Sequence, residues 1–375
     1  MIEYGRKSKG YFSAGSPGHE YELEVIPGLE EFAEREVRER HGASIKVPTR
    51  RYRGRVPIVY HGNPVSLNRL RSVVATHIVV TFHVSRPSAF LGHEYFGRLL
   101  RLFESVIALH PDETFRSFRV SAAGSNSPVF RRLRGGISKA TRLYDTEDPA
   151  HLQVSFRRSP GGNPRWQVLV RLSPKSISAR PWRTCDFAGA LNTSVASIMR
   201  GLTKPTPGDT YLNLACGSAT LMVERFELES RVNVIGVDLS GTALECARAN
   251  LHASGHARKA DLIRADVKRV SLAPSTADAI VADLPYGMLA GGDSDIPNLY
   301  SAVIQESTRL AARYSQLVVI TARNKAFPKG AERLRGPLGY GSRLPYIKIP
   351  FRSGYIQPRI YSLRRRPDVP FSAAD

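Results

Sequence analysis

Apolar positions in the first half of the chain alternate and then cluster, twice over. Tyr21–Ile26 keeps the two-residue rhythm of a strand, and Pro27-Gly28 opens an amphipathic helix, LEEFAEREVRERHG, that stops at Gly42. Arg55–Tyr60 and Thr76–Val84 read as further strands, with a short helix over Pro64–Val73 between them. The pattern then recurs. A helix over His93–His110 carries Phe96, Leu99, Leu100, Phe103 and Ile107, followed by a strand over Thr114–Val120 and a basic helix over Ser127–Tyr144. Strands His151–Phe156 and Trp166–Leu172 pair across the turn-prone SPGGNP. Two αβ units of this kind predict two small α+β layers rather than one large sheet.

From Ala179 the texture changes. ARPWRTCDFAGALNTSVASIMRGL begins as a linker and ends as a helix. Beyond it, short β-rich runs (Tyr211–Leu214, Val232–Val237, Asp261–Ile263, Asp278–Ala282, Gln316–Thr321) alternate with helices over Gly217–Glu229, Gly241–Ser254 and Asn298–Tyr314. That alternation predicts a doubly wound, mostly parallel sheet. It closes differently, with Arg343–Phe351 and Tyr355–Arg364 as an antiparallel hairpin.

Charge changes the picture. The 375 residues carry 54 Lys+Arg against 33 Asp+Glu, a formal +21. Residues 1–184 hold 30 of the cations and 16 of the acids, and from Arg51 to Arg142 only Glu94, Glu104, Asp112 and Glu113 face 15 cations, nearly all arginine. A chain this basic is expected to meet a polyanion, and the planar guanidinium fork suits phosphate. Arg131, Arg132, Arg134, Lys139 and Arg142, all on the basic helix, are the expected phosphate contacts. Three cysteines (Cys185, Cys216, Cys246), odd in number and without CxxC spacing, argue against a disulfide framework and a structural zinc and point to a reducing, cytoplasmic compartment. The ten histidines form no HxxxH or HExxH pattern, so no metal is expected, and no apolar run approaches the ~18 residues of a membrane span.

Four polar residues fall where the later strands end: Asn213 in YLNLACGSAT, Asp238 in VIGVDLS, Asp266 in LIRADV and Asp283 in AIVADLPYG. In a parallel sheet they line one edge, the crevice where open α/β folds bind ligands. The turn Ala215-Cys216-Gly217-Ser218-Ala219 has neither GxGxxG, as a dinucleotide needs, nor the lysine of an ATP loop. S-adenosylmethionine has no phosphate and needs only a short small-residue turn. Ala215 and Gly217 then pass close to it, Asp238 with Leu239 suits its ribose, and Asp266 with Val267 reaches its adenine amine.

Asp283-Leu284-Pro285-Tyr286-Gly287 is the sharpest motif. An amine conjugated to a heteroaromatic ring is a poor nucleophile because its lone pair is delocalised. Hydrogen bonds from it to the Asp283 carboxylate and the Pro285 carbonyl would draw the nitrogen towards tetrahedral geometry. Tyr286 offers a ring on which an everted base stacks.

D-L-P-Y-G is a form of the [DN]-[PL]-P-[YF] motif of amino-group methyltransferases. Joined to the basic first half with FRVSAAGSNSPVFRRLRGGISKAT, the chain resembles the THUMP-domain RNA methyltransferases, and among them the tRNA guanine-N2 methyltransferases. The resemblance covers roughly residues 20–364. It implies a ferredoxin-like domain (1–85), a THUMP domain (86–175), a linker (176–190) and a Rossmann-like methyltransferase domain (191–375). It also implies a tRNA partner gripped at its acceptor stem and 3′ end, with no obligatory protein partner. By the same resemblance Asn192-Thr193 touch the methionine end of the cofactor. The family commonly reads D-P-x-C-G-S-G-T where this chain has Asn213 and Ala219, so weaker cofactor binding is expected. Two alternatives stay open: an rRNA guanine-N2 or DNA adenine-N6 amino methyltransferase, and a catalytically silent RNA-binding protein on the same scaffold.

Overall fold

The computed structural model describes residues 12, 18–50, 52–160, 165–186, 189–284, 296–323, 327, 338–351 and 354–365. The chain divides into two units, residues 1–25 with 30–177, and residues 26–29 with 178–375.

The first unit runs β1 (His19–Glu24), α1 (Glu30–His41), β2 (Ile45–Lys46), β3 (Arg55–Tyr60), β4 (Ala75–Phe82), α2 (His93–Ile107), β5 (Ser117–Ala122), α3 (Pro128–Thr141), β6 (Tyr144–Asp145), β7 (Leu152–Arg158) and β8 (Trp166–Arg171). Acidic Glu30 and Glu31 begin α1, and basic Arg38, Arg40 and His41 end it, matching the helix dipole. The two layers expected from the sequence are in fact one sheet, in the order β2-β3-β1-β4-β8-β7-β5-β6. The join is the antiparallel pair β4 and β8, from His77 opposite Arg171 to Phe82 opposite Trp166. β4 reads ATHIVVTF and is buried on both faces, as befits a central strand. A single apolar cluster runs from Tyr21 through Phe82, Phe103 and Phe130 to Leu172. The basic helix ends at Thr141, three residues earlier than expected, because Arg142 turns left-handed at φ 60°.

The second unit contains α4 (Thr193–Leu202), β9 (Thr210–Leu214), α5 (Thr220–Phe226), β10 (Asn233–Asp238), α6 (Gly241–Ala253), β11 (Ala260–Arg264), β12 (Ala277–Asp283), α7 (Ile296–Leu310), β13 (Ala311–Thr321), β14 (Leu338–Arg343), β15 (Ile349–Phe351), β16 (Gly354–Ile356) and β17 (Arg359–Arg365). Its sheet has the order β11-β10-β9-β12-β13-β17-β14. The first five strands are parallel, while β17 is antiparallel to both β13 and β14. Order reverses at β9, whose neighbours β10 and β12 lie on either side, so a topological switch point opens at its carboxyl end. α5 starts at Thr220 rather than Gly217, because the three residues before it form a tight turn. The hairpin expected over Arg343–Phe351 and Tyr355–Arg364 forms only at its tip, where β15 pairs with β16; β17 pairs instead with β14, which lies before the expected first arm and shares only Arg343 with it.

Candidate active site

Register aligns the strand ends. Leu214 stands opposite Val237 of β10 and Ala282 of β12, and Val237 stands opposite Ile263 of β11. The residues that follow therefore share one rim. After β9 the backbone is left-handed at Ala215 (φ 51°), Gly217 (φ 54°) and Ala219 (φ 63°). Glycine enters that region freely, whereas alanine is strained there. The turn is tied down at both ends. The Cys216 amide donates to the Val237 carbonyl at 2.9 Å, and the Ala219 amide to the Cys216 carbonyl at 2.9 Å. Burial, with the Asp238 carboxylate nearby, pushes the Cys216 thiol up, so it is a neutral turn residue.

Asp238 ends β10. Its Oδ2 accepts from the Gly217 amide at 2.9 Å and its Oδ1 from the Ser240 amide at 2.9 Å. Leu239 is 63% exposed beside it, an apolar surface that core packing does not use. Asp266 joins this edge through the Ala265 amide, which donates to the Asp238 carbonyl at 3.1 Å. Its own Oδ1 accepts from the Lys268 amide at 3.0 Å, and the side chain stays 45% exposed. Val267 lies half-buried against the core.

Asn213 is buried in β9. Its Nδ2 donates to the carbonyls of Leu214 (3.2 Å) and Val281 (3.3 Å), binding β9 to β12. Its Oδ1 is buried with no hydrogen-bond partner among the described residues. Asp283 ends β12 opposite Ile320. It lies near Tyr300 of α7, whose hydroxyl pairs with Thr321 Oγ1 at 2.6 Å; burial raises the phenol's pKa and the Asp283 charge pushes it the same way. Pro285 and Tyr286 lie outside the described residues.

Asn192 and Thr193 serve the fold. Asn192 caps α4 by accepting from the Ser194 amide at 2.9 Å, and the buried Thr193 hydroxyl donates to the Ser178 carbonyl at 2.6 Å. Sequence reasoning missed Asn250, fully buried on α6. Its Oδ1 accepts from the amides of Thr184 (3.0 Å) and Cys185 (2.9 Å), and its Nδ2 donates to the carbonyls of Cys185 and Ser218 (3.0 Å each). One side chain thus fixes the linker and the turn after β9 together. The available signal was a polar residue on the apolar side of a helix, a turn from Ala247.

The cysteine expectation is corrected here. Cys185 and Cys246 form a disulfide, S–S 2.05 Å and Cα–Cα 5.4 Å, across 61 residues. Pairing follows from where Asn250 holds the linker against α6, which sequence spacing does not disclose. Trp182, in the same linker, is buried and packs into the fold.

Residues 180–335 match the family described as RMKL-like, methyltransferase domain. That stretch of the second unit, residues 180–335, is similar to this methyltransferase domain family. Across 92% of this chain and 99% of the other, the fold superposes on TrmN from Thermus thermophilus with a TM-score of 0.69 at 21% identity. The U6 snRNA (guanine-N(2))-methyltransferase THUMPD2 of Bos taurus is 28% identical over 185 residues, 47% of this chain and 36% of its own length. The tRNA (guanine(10)-N2)-dimethyltransferase of Methanothermobacter thermautotrophicus is 32% identical over 113 residues, 30% of this chain and 32% of its own length. The chain thus spans about a third of the length of these curated relatives.

In the first unit the basic surface is sorted by the fold. Arg131, Arg132, Lys139 and Arg142 are exposed on and just after α3. Arg134 is not available in the same way. It follows Phe130 by one turn, and its guanidinium is held by Asp145 (2.9 Å) and the Ser125 carbonyl (2.9 Å). A second basic feature, unforeseen in the sequence, is an open cleft of about 390 Å³ on the first unit's sheet, lined by Arg50, Tyr52, Arg55, Arg157, Arg158 and Gln167. Glu22 there takes both arms of Arg157, at 2.9 and 2.6 Å. Among the described residues no helix is long and apolar enough to cross a membrane.

Proposed function

We propose that this chain methylates the exocyclic N2 amine of a guanine in tRNA, in the acceptor stem, with S-adenosylmethionine as donor. The observation that carries the reading is the single rim on which register places the turn after β9, Asp238, Asp266 and Asp283. The residues fit the cofactor. A buried amide oxygen on Asn213 without a partner among the described residues is an acceptor suited to an ammonium group. Asp238 keeps lone pairs for ribose hydroxyls after its two backbone contacts, and exposed Leu239 offers an apolar face to an adenine. Asp266 is open to an adenine amine.

S-adenosylmethionine supplies an electrophilic methyl group. The chain's part is to orient the acceptor. In this reading Asp283 and the Pro285 carbonyl accept the two amine hydrogens, aligning the nitrogen lone pair, and Tyr286 stacks the base. Positioning of that kind is the main source of rate in a direct displacement. A paired guanine must first be extruded at a cost of a few kcal/mol, which phosphate contacts offset. We assign those contacts to the first unit, read as ferredoxin-like (1–85) and THUMP (86–175), through Arg131, Arg132, Lys139 and Arg142.

The test is transfer of labelled methyl to unmodified tRNA transcripts by the full chain, with the product nucleoside identified by mass spectrometry after digestion. N2-methylguanosine is expected, and Asp283→Ala should lower kcat by about 10²–10³-fold, the scale of losing a hydrogen-bonding group aimed at the reacting atom. Labelling of U6 snRNA or rRNA fragments but not tRNA would reassign the substrate. Cofactor binding without labelling of any RNA would favour the silent scaffold that Asn213 and Ala219 suggest.

A further inference from the structure

Between β14 and β17 the chain leaves the sheet at the rim that carries Asp283. Asp283 stands opposite Ile320, Thr321 opposite Arg359, and Arg343 opposite Tyr361. The excursion over 344–358 therefore leaves from β14, three strands from β12, and returns into β17, two strands from β12, on the order of 10–15 Å across the sheet. It is firmly rooted. Leu344 and Ile347 are buried, and their amides donate to the carbonyls of Ile360 (2.9 Å) and Pro358 (3.0 Å). The Lys348 amide donates to the Pro27 carbonyl at 3.2 Å. Gly28, at φ +102°, lets that segment approach so closely that a Cβ would lie 2.5 Å from the Tyr346 carbonyl oxygen.

On this root stand two exposed aromatic rings, Tyr346 (43%) and Tyr355 (61%). Each is covered by a cation. The Arg359 guanidinium carbon is 3.6 Å from the Tyr346 centroid, and Lys348 Nζ is 3.9 Å from that of Tyr355. Arg359 Nε is buried without a hydrogen-bond partner among the described residues. From Arg333 to Arg366 the sequence has nine Lys/Arg and no Asp or Glu, so these charges are not neutralised from within the segment. An acidic protein would match the charge alone. Exposed rings beside cations match a nucleic acid, whose bases offer π faces and whose backbone offers phosphates.

We propose that this hairpin is a nucleotide-contacting element of the catalytic unit: Tyr346 and Tyr355 stack on unpaired bases next to the target guanine, while Arg359 and Lys348 hold the adjoining phosphates. The assignment rests on the RNA reading above and adds a second grip, close to the chemistry, to the one expected in the first unit.

Fluorescence anisotropy with a labelled, unmodified tRNA transcript and the full chain tests it. Tyr346→Ala with Tyr355→Ala should weaken RNA binding about 10–100-fold and raise KM with little change in S-adenosylmethionine affinity, whereas the two Phe replacements should bind like the native chain. Lys348→Gln should lower the slope of log affinity against log salt by about one. If the double variant melts early or loses cofactor binding, Tyr355→Ala alone decides, with roughly a fivefold to tenfold loss expected. Native-like RNA affinity in the Ala variants, with cofactor binding intact, overturns the hairpin assignment while leaving the proposed function standing. A native chain that binds no RNA overturns both.

Discussion

The Asp238 carboxylate bridges two backbone turns, taking the Gly217 amide on one oxygen and the Ser240 amide on the other, each at 2.9 Å. One side chain at the end of β10 thereby sets the shape of the turn after β9 and the start of α6. The ribose-holding role assigned to it depends on this, because its orientation is already fixed before a ligand arrives. Asp238→Ala removes the anion and both contacts, and hydrogen bonds to a charged group are worth about 1.5–3 kcal/mol. Affinity for S-adenosylmethionine should fall roughly 10–100-fold by calorimetric titration, with Asp238→Asn intermediate. Equal affinity in the Ala variant would show that the turns hold without the carboxylate.

Ala219 occupies a left-handed position at φ 63° and is fully buried. For an L-residue that conformation costs ~1–2 kcal/mol, partly offset in any glycine replacement by the extra freedom of the unfolded chain. Ala219→Gly should therefore raise the melting temperature by a few degrees and leave the fold unchanged. Asn213→Asp should act in the opposite sense on the ligand-free chain. It places a charge in a buried strand, lowering the melting temperature, yet tightens the cofactor by supplying a counter-charge for its ammonium group. A lower melting point with no gain in affinity would separate Asn213 from the ligand.

What the sequence discloses here depends on whether a signal is local. Asp238 and Asp283, which end β10 and β12, and Asn213 and Asp266, within two residues of the ends of β9 and β11, are legible because a parallel strand delivers its carboxyl end to the rim whatever else the fold does. The pairing of β4 with β8 is not legible: an alternating strand does not say which distant edge it will join. Likewise, the Cys185–Cys246 bridge depends on Asn250 catching the linker, a contact 65 residues apart. Arg134 could have been separated from Arg131 and Arg132, since it shares the face of Phe130 and Leu133.

The Cys185–Cys246 bridge closes a loop of 61 residues near the start of the second unit. In the chain-entropy account, a loop of that length contributes about 4 kcal/mol at most. Asn250 holds the same linker by three hydrogen bonds, to Thr184 and Cys185, so the reduced chain should stay folded but melt several degrees lower. Thermal scans with and without dithiothreitol, and of Cys185→Ser, read this; the variant should match the reduced native chain. Identical melting of all three would mean that Asn250 alone anchors the linker.

His77, in the β4 strand that joins the halves of the first unit's sheet, gives that unit a defined acid sensitivity. Burial lowers its pKa to about 4, outweighing the Glu22 carboxylate, which favours the protonated ring; Arg171 and Arg157 disfavour it. The unfolded chain takes up the proton near the ordinary histidine value of ~6.5, which the folded imidazole refuses. Between those values the unfolded state binds more protons, so the contribution is complete above about pH 6.5 and is lost as pH falls towards about 4. The loss amounts to at most about 3 kcal/mol. Urea midpoints at pH 7.5 and 5 should therefore drop more for the native chain than for His77→Gln, which has no proton to take up. Equal drops would assign the acid sensitivity to other groups and leave His77 as a packing residue alone.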